Sequence, residues 1–195
     1  MYNSTRRRLM MGQNKGKDYV LFMPLSYGDT SDHISGSNSW YNAHFNWDNN
    51  ENAYYFDQNS QQANKLVGVS IPWNQTIDIN CIIEFDAKLI NSGNFSMMGW
   101  GCNSGSSYCD HSLYYQHQIT GTNGYLPLNQ WCHVKAIRTP GGNIEHYTDG
   151  VLVGTLTQNN ANSGTGTVYF SPTGARWSSN SGVRVFIKNI EIYKP

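Results

Sequence analysis

The chain has 195 residues, 13% of them charged, and its 13 Lys and Arg balance 13 Asp and Glu at a formal net charge of zero. That length suits one domain, or at most two small ones, and the charged share is well under the ~25% usual for soluble domains. No basic excess is available to neutralise phosphates, which argues against nucleic-acid binding. No run approaches the ~18 apolar residues that read as a membrane span.

From the N-terminus, residues 1–18 are basic and lack strand alternation, and they read as an arm separate from the body at 19–195. Within the arm, Arg6, Arg7 and Arg8 precede only Leu9, Met10 and Met11 before Gly12. That apolar stretch is too short for the core of a signal peptide, so no signal peptide is expected. These six residues are instead the candidate partner-docking segment.

Residues 19–25 (YVLFMPL) read as a buried strand and 26–39 as polar turn. Residues 40–50 alternate in part, with Tyr41, Ala43 and Phe45 opposite Trp40, His44 and Asn46. Short strands follow at 53–57 and 66–71. The run 76–89 (TIDINCIIEFDAKL) puts Ile77, Ile79, Cys81, Ile83, Phe85 and Ala87 on one face. Further strands are expected at 95–100 and 113–119.

Residues 131–138 alternate cleanly. Cys132, Val134 and Ala136 share one face; Trp131, His133, Lys135 and Ile137 share the other. Strands at 143–148 and 151–157 flank Asp149-Gly150, a type I′ hairpin signal because both central positions need positive φ. Residues 168–170 and 183–193 close the chain. Short strands between Gly, Asn and Ser turns, with no helical periodicity and no internal repeat, give an all-β sandwich. Trp131 and Trp73 read as core fillers, and His133 as a hydrogen-bonded structural imidazole.

The same residues carry a family resemblance. Trp131-x-His133-Val134, preceded by Leu128-Asn129-Gln130 and followed by Gly142-Asn143 and Tyr147-x-Asp149-Gly150, resembles the laminin-G-like branch of the concanavalin A-like lectin/glucanase superfamily. Ile187 to Tyr193 is similar to its last strand. Leu25 to Thr30, running on to Ser35-Gly36, resembles its opening strand and turn. Ala53 to Phe56 and Val67 to Pro72 resemble the next two strands. The resemblance implies a two-sheet antiparallel jelly-roll sandwich, here with an extended N-terminal arm. Separately, the Arg6 to Gly12 leader resembles segments that precede lectin-like domains in phage and prophage structural proteins, which implies docking on other virion proteins.

Glucanases of this superfamily carry Glu-x-Asp-x-Glu on one strand, aiming three carboxylates into a cleft. Here Glu84-x-Asp86-x-Lys88 puts a lysine in the third position, and an ammonium does not shuttle a proton to a glycosidic oxygen as a carboxyl does. The plainer reading is a charged outer strand face with Glu84 and Lys88 as neighbours. No Gly-x-Ser-x-Gly elbow occurs, so no catalytic residue is assigned.

Cysteine spacing gives no zinc site. A disulfide Cys102–Cys109 could close a loop, while Cys81 and Cys132 suit buried thiols; whether either pair is bonded stays open. No metal is assigned. Calcium is the one ion the loops leave open, through Asp29-Thr30-Ser31-Asp32 and Asp48-Asn49-Asn50-Glu51, although Asx-rich turns also form simply to bond the backbone.

Sugar rings take flat aromatics beside amides and imidazoles, which makes Trp100, Tyr114, Tyr115, His117, Arg176 and Trp177 the candidate ligand-binding set. The expectation is a non-catalytic, lectin-like carbohydrate-binding or adhesion module. It is expected in several copies on a virion surface or otherwise extracellular, with a cell-surface or polysaccharide glycan as partner. The alternatives are a purely structural virion protein anchored by its arm and, third, a degenerate glycoside hydrolase.

Overall fold

The structure is a computed structural model that describes residues 16–31, 33–34, 40–41, 46–57, 67–70, 82–90, 95–98, 112–116, 124–138, 143–156, 167–171 and 184–195. Their strands are β1 (Asp18–Met23), β2 (Trp40–Tyr41), β3 (Asn46–Asp48), β4 (Ala53–Asp57), β5 (Val67–Ser70), β6 (Ile82–Ile90) and β7 (Phe95–Met98). The second half adds β8 (Ser112–Gln116), β9 (Gly124–Tyr125), β10 (Trp131–Arg138), β11 (Ile144–Thr148), β12 (Val151–Leu156), β13 (Thr167–Ser171) and β14 (Arg184–Lys194). Among the described residues there is no helix.

The strands form the two layers of an antiparallel jelly-roll sandwich. One is an eight-stranded sheet in the order β12-β11-β10-β6-β14-β4-β3, with β1 also on β14; the other is a six-stranded sheet in the order β2-β5-β13-β7-β8-β9. Among the described strand pairs β8 and β9 run parallel, and an isolated parallel bridge joins Leu89 to Leu128.

The core follows from period-two alternation. On β6, Ile83, Phe85, Ala87 and Leu89 are fully buried, in one core cluster with Val134 and Ala136 of β10 and Leu21 and Met23 of β1, strands of the same sheet. Cys132 joins them as a buried free thiol, and burial pushes that thiol up to about 11. Cys81, Cys102 and Cys109 lie outside the described residues.

Strand β14 needs one irregularity to stay in register. Val185 and Ile187 point inward, but so do Ile190 and Ile192, an odd step between two even ones. A bulge between Lys188 and Glu191 absorbs the extra residue. Asn189 takes a left-handed φ of 53° there, and its N–H donates to the Pro24 carbonyl at 3.2 Å. Without it, every later side chain would swap faces. The bulge also divides one flank of β14, so that Arg184–Ile187 pair with β4 and Ile190–Lys194 with β1.

The β11–β12 hairpin turns on Asp149 (φ 50°) and Gly150 (φ 79°), as the sequence predicts. Asp149 also completes the start of β10: its N–H donates to the His133 carbonyl, and its Oδ1 accepts the His133 N–H, both at 2.8 Å. A Cβ on Gly150 would meet no atom within 4 Å, so only its backbone conformation resists substitution. Gly150→Ala should therefore cost about 1 kcal/mol, read as a lower urea midpoint at unchanged slope; an unchanged midpoint would refute the turn assignment.

Two expectations are corrected. Residues 40–50 are not one alternating element: β2 pairs β5 in the six-stranded sheet, whereas β3 pairs β4 in the eight-stranded one. Alternation alone does not separate one strand from two short ones that end in different layers. Trp131 is not a core filler. It stands on the face of β10 opposite Cys132 and Val134, half-buried, with Lys188 Nζ 4.0 Å above its ring.

Candidate functional site

Two surfaces of the eight-stranded sheet gather functional side chains. The first is the face away from the core. Alternation around Phe85 and Ala87 throws Glu84, Asp86 and Lys88 outward, where they meet His133 and Lys135 from β10 and Glu191 and Tyr193 from β14. Glu84 is the hub, although only 7% exposed. Lys17 Nζ and Tyr193 Oη each donate to it at 2.7 Å, and Lys135 Nζ lies 3.2 Å away. Lys17 also donates to Glu191 at 2.8 Å and lies 4.2 Å from the Tyr193 ring centroid. Asp86 is bonded to His133 Nδ1 at 3.0 Å and accepts from Asn189 Nδ2 at 2.7 Å. Lys88 pairs not with Glu84 but with Glu51, at 2.6 Å, and the Trp131 indole N–H donates to the same carboxylate at 3.0 Å.

The electrostatics follow from these contacts. Burial alone would raise Glu84, but Lys17 and Tyr193 outweigh it and hold the carboxyl below its ordinary value. Asp86 is lowered likewise, with burial overcome by His133 and Asn189. Glu51 is lowered by Lys88. His133 is raised, chiefly by Asp86. A glycosidic acid needs the reverse, a carboxyl held above its usual range. This face is a self-compensated ion-pair ladder.

The second surface lies at the β3 edge. Trp47 and Tyr54 are cross-strand partners on β3 and β4, their rings edge-to-face at 4.9 Å. The turn after β1 brings Tyr27 edge-on to Trp47 at 5.4 Å. Gly28, at φ 71°, donates its N–H to Tyr54 Oη at 3.1 Å, and Asp29 N–H donates to the Ser26 carbonyl at 2.8 Å. Tyr27 is 75% exposed despite these supports. Beside it the β3–β4 turn exposes Asn49, Asn50 and Asn52, with Asn49 Oδ1 accepting the Trp47 indole N–H at 3.0 Å. A braced, solvent-facing ring beside a turn with three exposed amides can stack on an apolar sugar face and bond its hydroxyls.

No protein-family model matches the chain, and no curated protein does. Solved structures do. The chain resembles a structure of botulinum neurotoxin type C, which enters cells through interaction with two ganglioside molecules, at TM-score 0.59 and 13% identity over 90% of this chain and 47% of that one. It resembles the binding domain of botulinum neurotoxin DC in complex with SialylT at TM-score 0.58 and 14% identity, over 90% and 47%. It also resembles domain 4 of AbnA, a GH43 extracellular arabinanase from Geobacillus stearothermophilus in complex with arabinotriose, at TM-score 0.58 and 12% identity, over 91% and 93%. What is shared is the fold. The chain spans about half the length of the neurotoxin structures and nearly all of the arabinanase domain.

Of the residues expected at a ligand site, Trp100, His117, Arg176 and Trp177 lie outside the described residues, as do Arg6, Arg7, Arg8, Leu9, Met10 and Met11 of the arm. Tyr114 and Tyr115 sit on β8, in register with Ser96 and Phe95 of β7; their side chains too lie outside the description. Lys17, counted with the arm, is seated on the sheet.

Carboxylate oxygens in both candidate calcium loops accept hydrogen bonds from the protein. Asp29 Oδ1 accepts from the Ser31 N–H at 3.0 Å, and Asp29 Oδ2 lies 2.9 Å from His33 Nε2. Asp48 accepts the Asn50 and Glu51 N–H groups at 2.8 and 3.0 Å. Asp32 lies outside the described residues, among which no cluster of three potential metal-ligating side chains occurs. Neither Tyr27 nor Trp47 is among the candidates drawn from the sequence. The available signal was an aromatic inside the tight turn Ser26-Tyr27-Gly28-Asp29, where no core position needs it, and a Trp leading an Asx-rich run.

Proposed function

We propose that this chain is a non-catalytic, glycan-binding sandwich module. The Tyr27–Trp47 platform with its exposed asparagines carries the reading. The fold likeness supports it, since the similar domains are described with gangliosides, SialylT and arabinotriose. The lowered carboxylates of the β6 face weigh against hydrolysis. One ring and a few amides make a weak, reversible site, and display in several copies multiplies its strength.

A glycan array probed with the full chain tests this. At least one glycan should bind, and Tyr27→Ala should weaken it about tenfold, the loss of one stacking contact plus its buried area. An array with no bound glycan would move the reading to a purely structural component. The finer proposal places the module outside the cell on a phage virion, docked through residues 1–18. It rests on the leader from Arg6 to Gly12, and particle association undiminished by deletion of residues 1–15 would end it.

A further inference from the structure

We infer that the Tyr27 platform selects uncharged glycans over sialylated ones, an inference that rests on the glycan-binding reading above. The similar domains point both ways, one described with SialylT and another with arabinotriose. The charges around the platform decide between them.

The platform is built from the turn after β1 and the β3–β4 hairpin. In these two segments, the described acidic residues are Asp29, Asp48, Glu51 and, at the far end of β4 in register with Arg184 of β14, Asp57, and there is no Lys or Arg. Glu51 is neutralised from outside by Lys88 at 2.6 Å. Asp48 is held by the backbone N–H groups of Asn50 and Glu51, neutral donors that leave its full negative charge beside Trp47. His33, the other group here able to carry positive charge, is already turned onto Asp29 at 2.9 Å. A sialic acid carboxylate stacked near Tyr27 would therefore meet one or two like charges and, among the described residues of these two segments, no guanidinium or ammonium, while neutral hydroxyls find amides and carboxylate acceptors.

The test is an array of matched neutral and sialylated glycans, with arabinotriose and the pair lactose and sialyllactose as titrated references, using the full chain at low and at physiological salt. The expected result is a neutral glycan bound through Tyr27, its affinity falling about tenfold in Tyr27→Ala. The sialylated counterpart should bind several-fold more weakly. Added salt should narrow that gap, because exposed charges are screened. Asp48→Asn should narrow it too, since asparagine keeps the turn bonds and removes the charge. Sialylated binding as tight as neutral, and dependent on Tyr27, would overturn the selectivity and leave glycan binding standing. Neutral binding untouched by Tyr27→Ala would overturn the platform. An empty array would remove both this inference and the function it rests on. Because Tyr27 is largely exposed, an unaltered circular dichroism spectrum of Tyr27→Ala separates lost binding from lost fold.

Discussion

Glu84→Ala should lower the unfolding free energy by about 3 kcal/mol, the low end of what removing one partner of a buried ion pair costs. The low end applies because Lys17 and Lys135 keep about a third of their side-chain surface in water. Glu84 itself is nearly enclosed, and its loss strands the Tyr193 hydroxyl and leaves Lys135 without its carboxylate. Glu84→Gln keeps the shape and should cost less. Urea titration at pH 7 measures both, and a Glu84→Ala loss under 0.5 kcal/mol would reduce the hub to an ordinary surface ion pair. The pH dependence has a definite sign. Glu84 and Asp86 are depressed in the folded state, so their contribution is present above the unfolded carboxylate range and is lost as pH falls through the folded values. His133 is raised, so its contribution is complete below its unfolded value and fades as pH climbs through the folded one.

His146 should govern a separate, higher acid window. It is buried on β11, and burial pushes its imidazole down to about 4. The unfolded chain takes up that proton near pH 6.5, whereas the folded chain resists until near 4. Stability should thus fall as pH drops across that interval, by about 3 kcal/mol in all, and stop falling on this account below it. His146→Leu removes the titrating group at similar bulk. Its stability at pH 5, relative to pH 7.5, should hold up while that of the parent declines. Parallel slopes in parent and variant would show that His146 does not set this window.

Much of the eight-stranded sheet was legible because its signals are local. The 131–138 alternation, the Asp149-Gly150 corner and the faces of 83–87 each need only neighbours in sequence, and each holds. What stayed hidden depends on distant partners. Nothing near Asn189 announces a bulge; it forms because Ile187 and Ile190 must both reach one core and Pro24 offers an acceptor. Trp131 looks apolar enough to be interior, yet Glu51 and Lys188, far away in sequence, hold it outside. The same reason kept Tyr27 and Trp47 from being read together, since they are joined by a turn and a hairpin lying in separate stretches. Residues 40–48 alternate, but the layer each half enters is decided by β5 and β4.

The pairing of Asp18 with Lys194 on β1 and β14 has a mechanical consequence. Chain arriving at the first strand and chain departing from the last do so at one spot, side by side. A pull applied at both ends would peel that pair apart rung by rung, whereas a tether on either end alone leaves the whole body hanging from a single corner. The two ends of the described sheet therefore share one mechanical contact, and whatever loads that rung loads β14, the strand that also carries the Asn189 bulge.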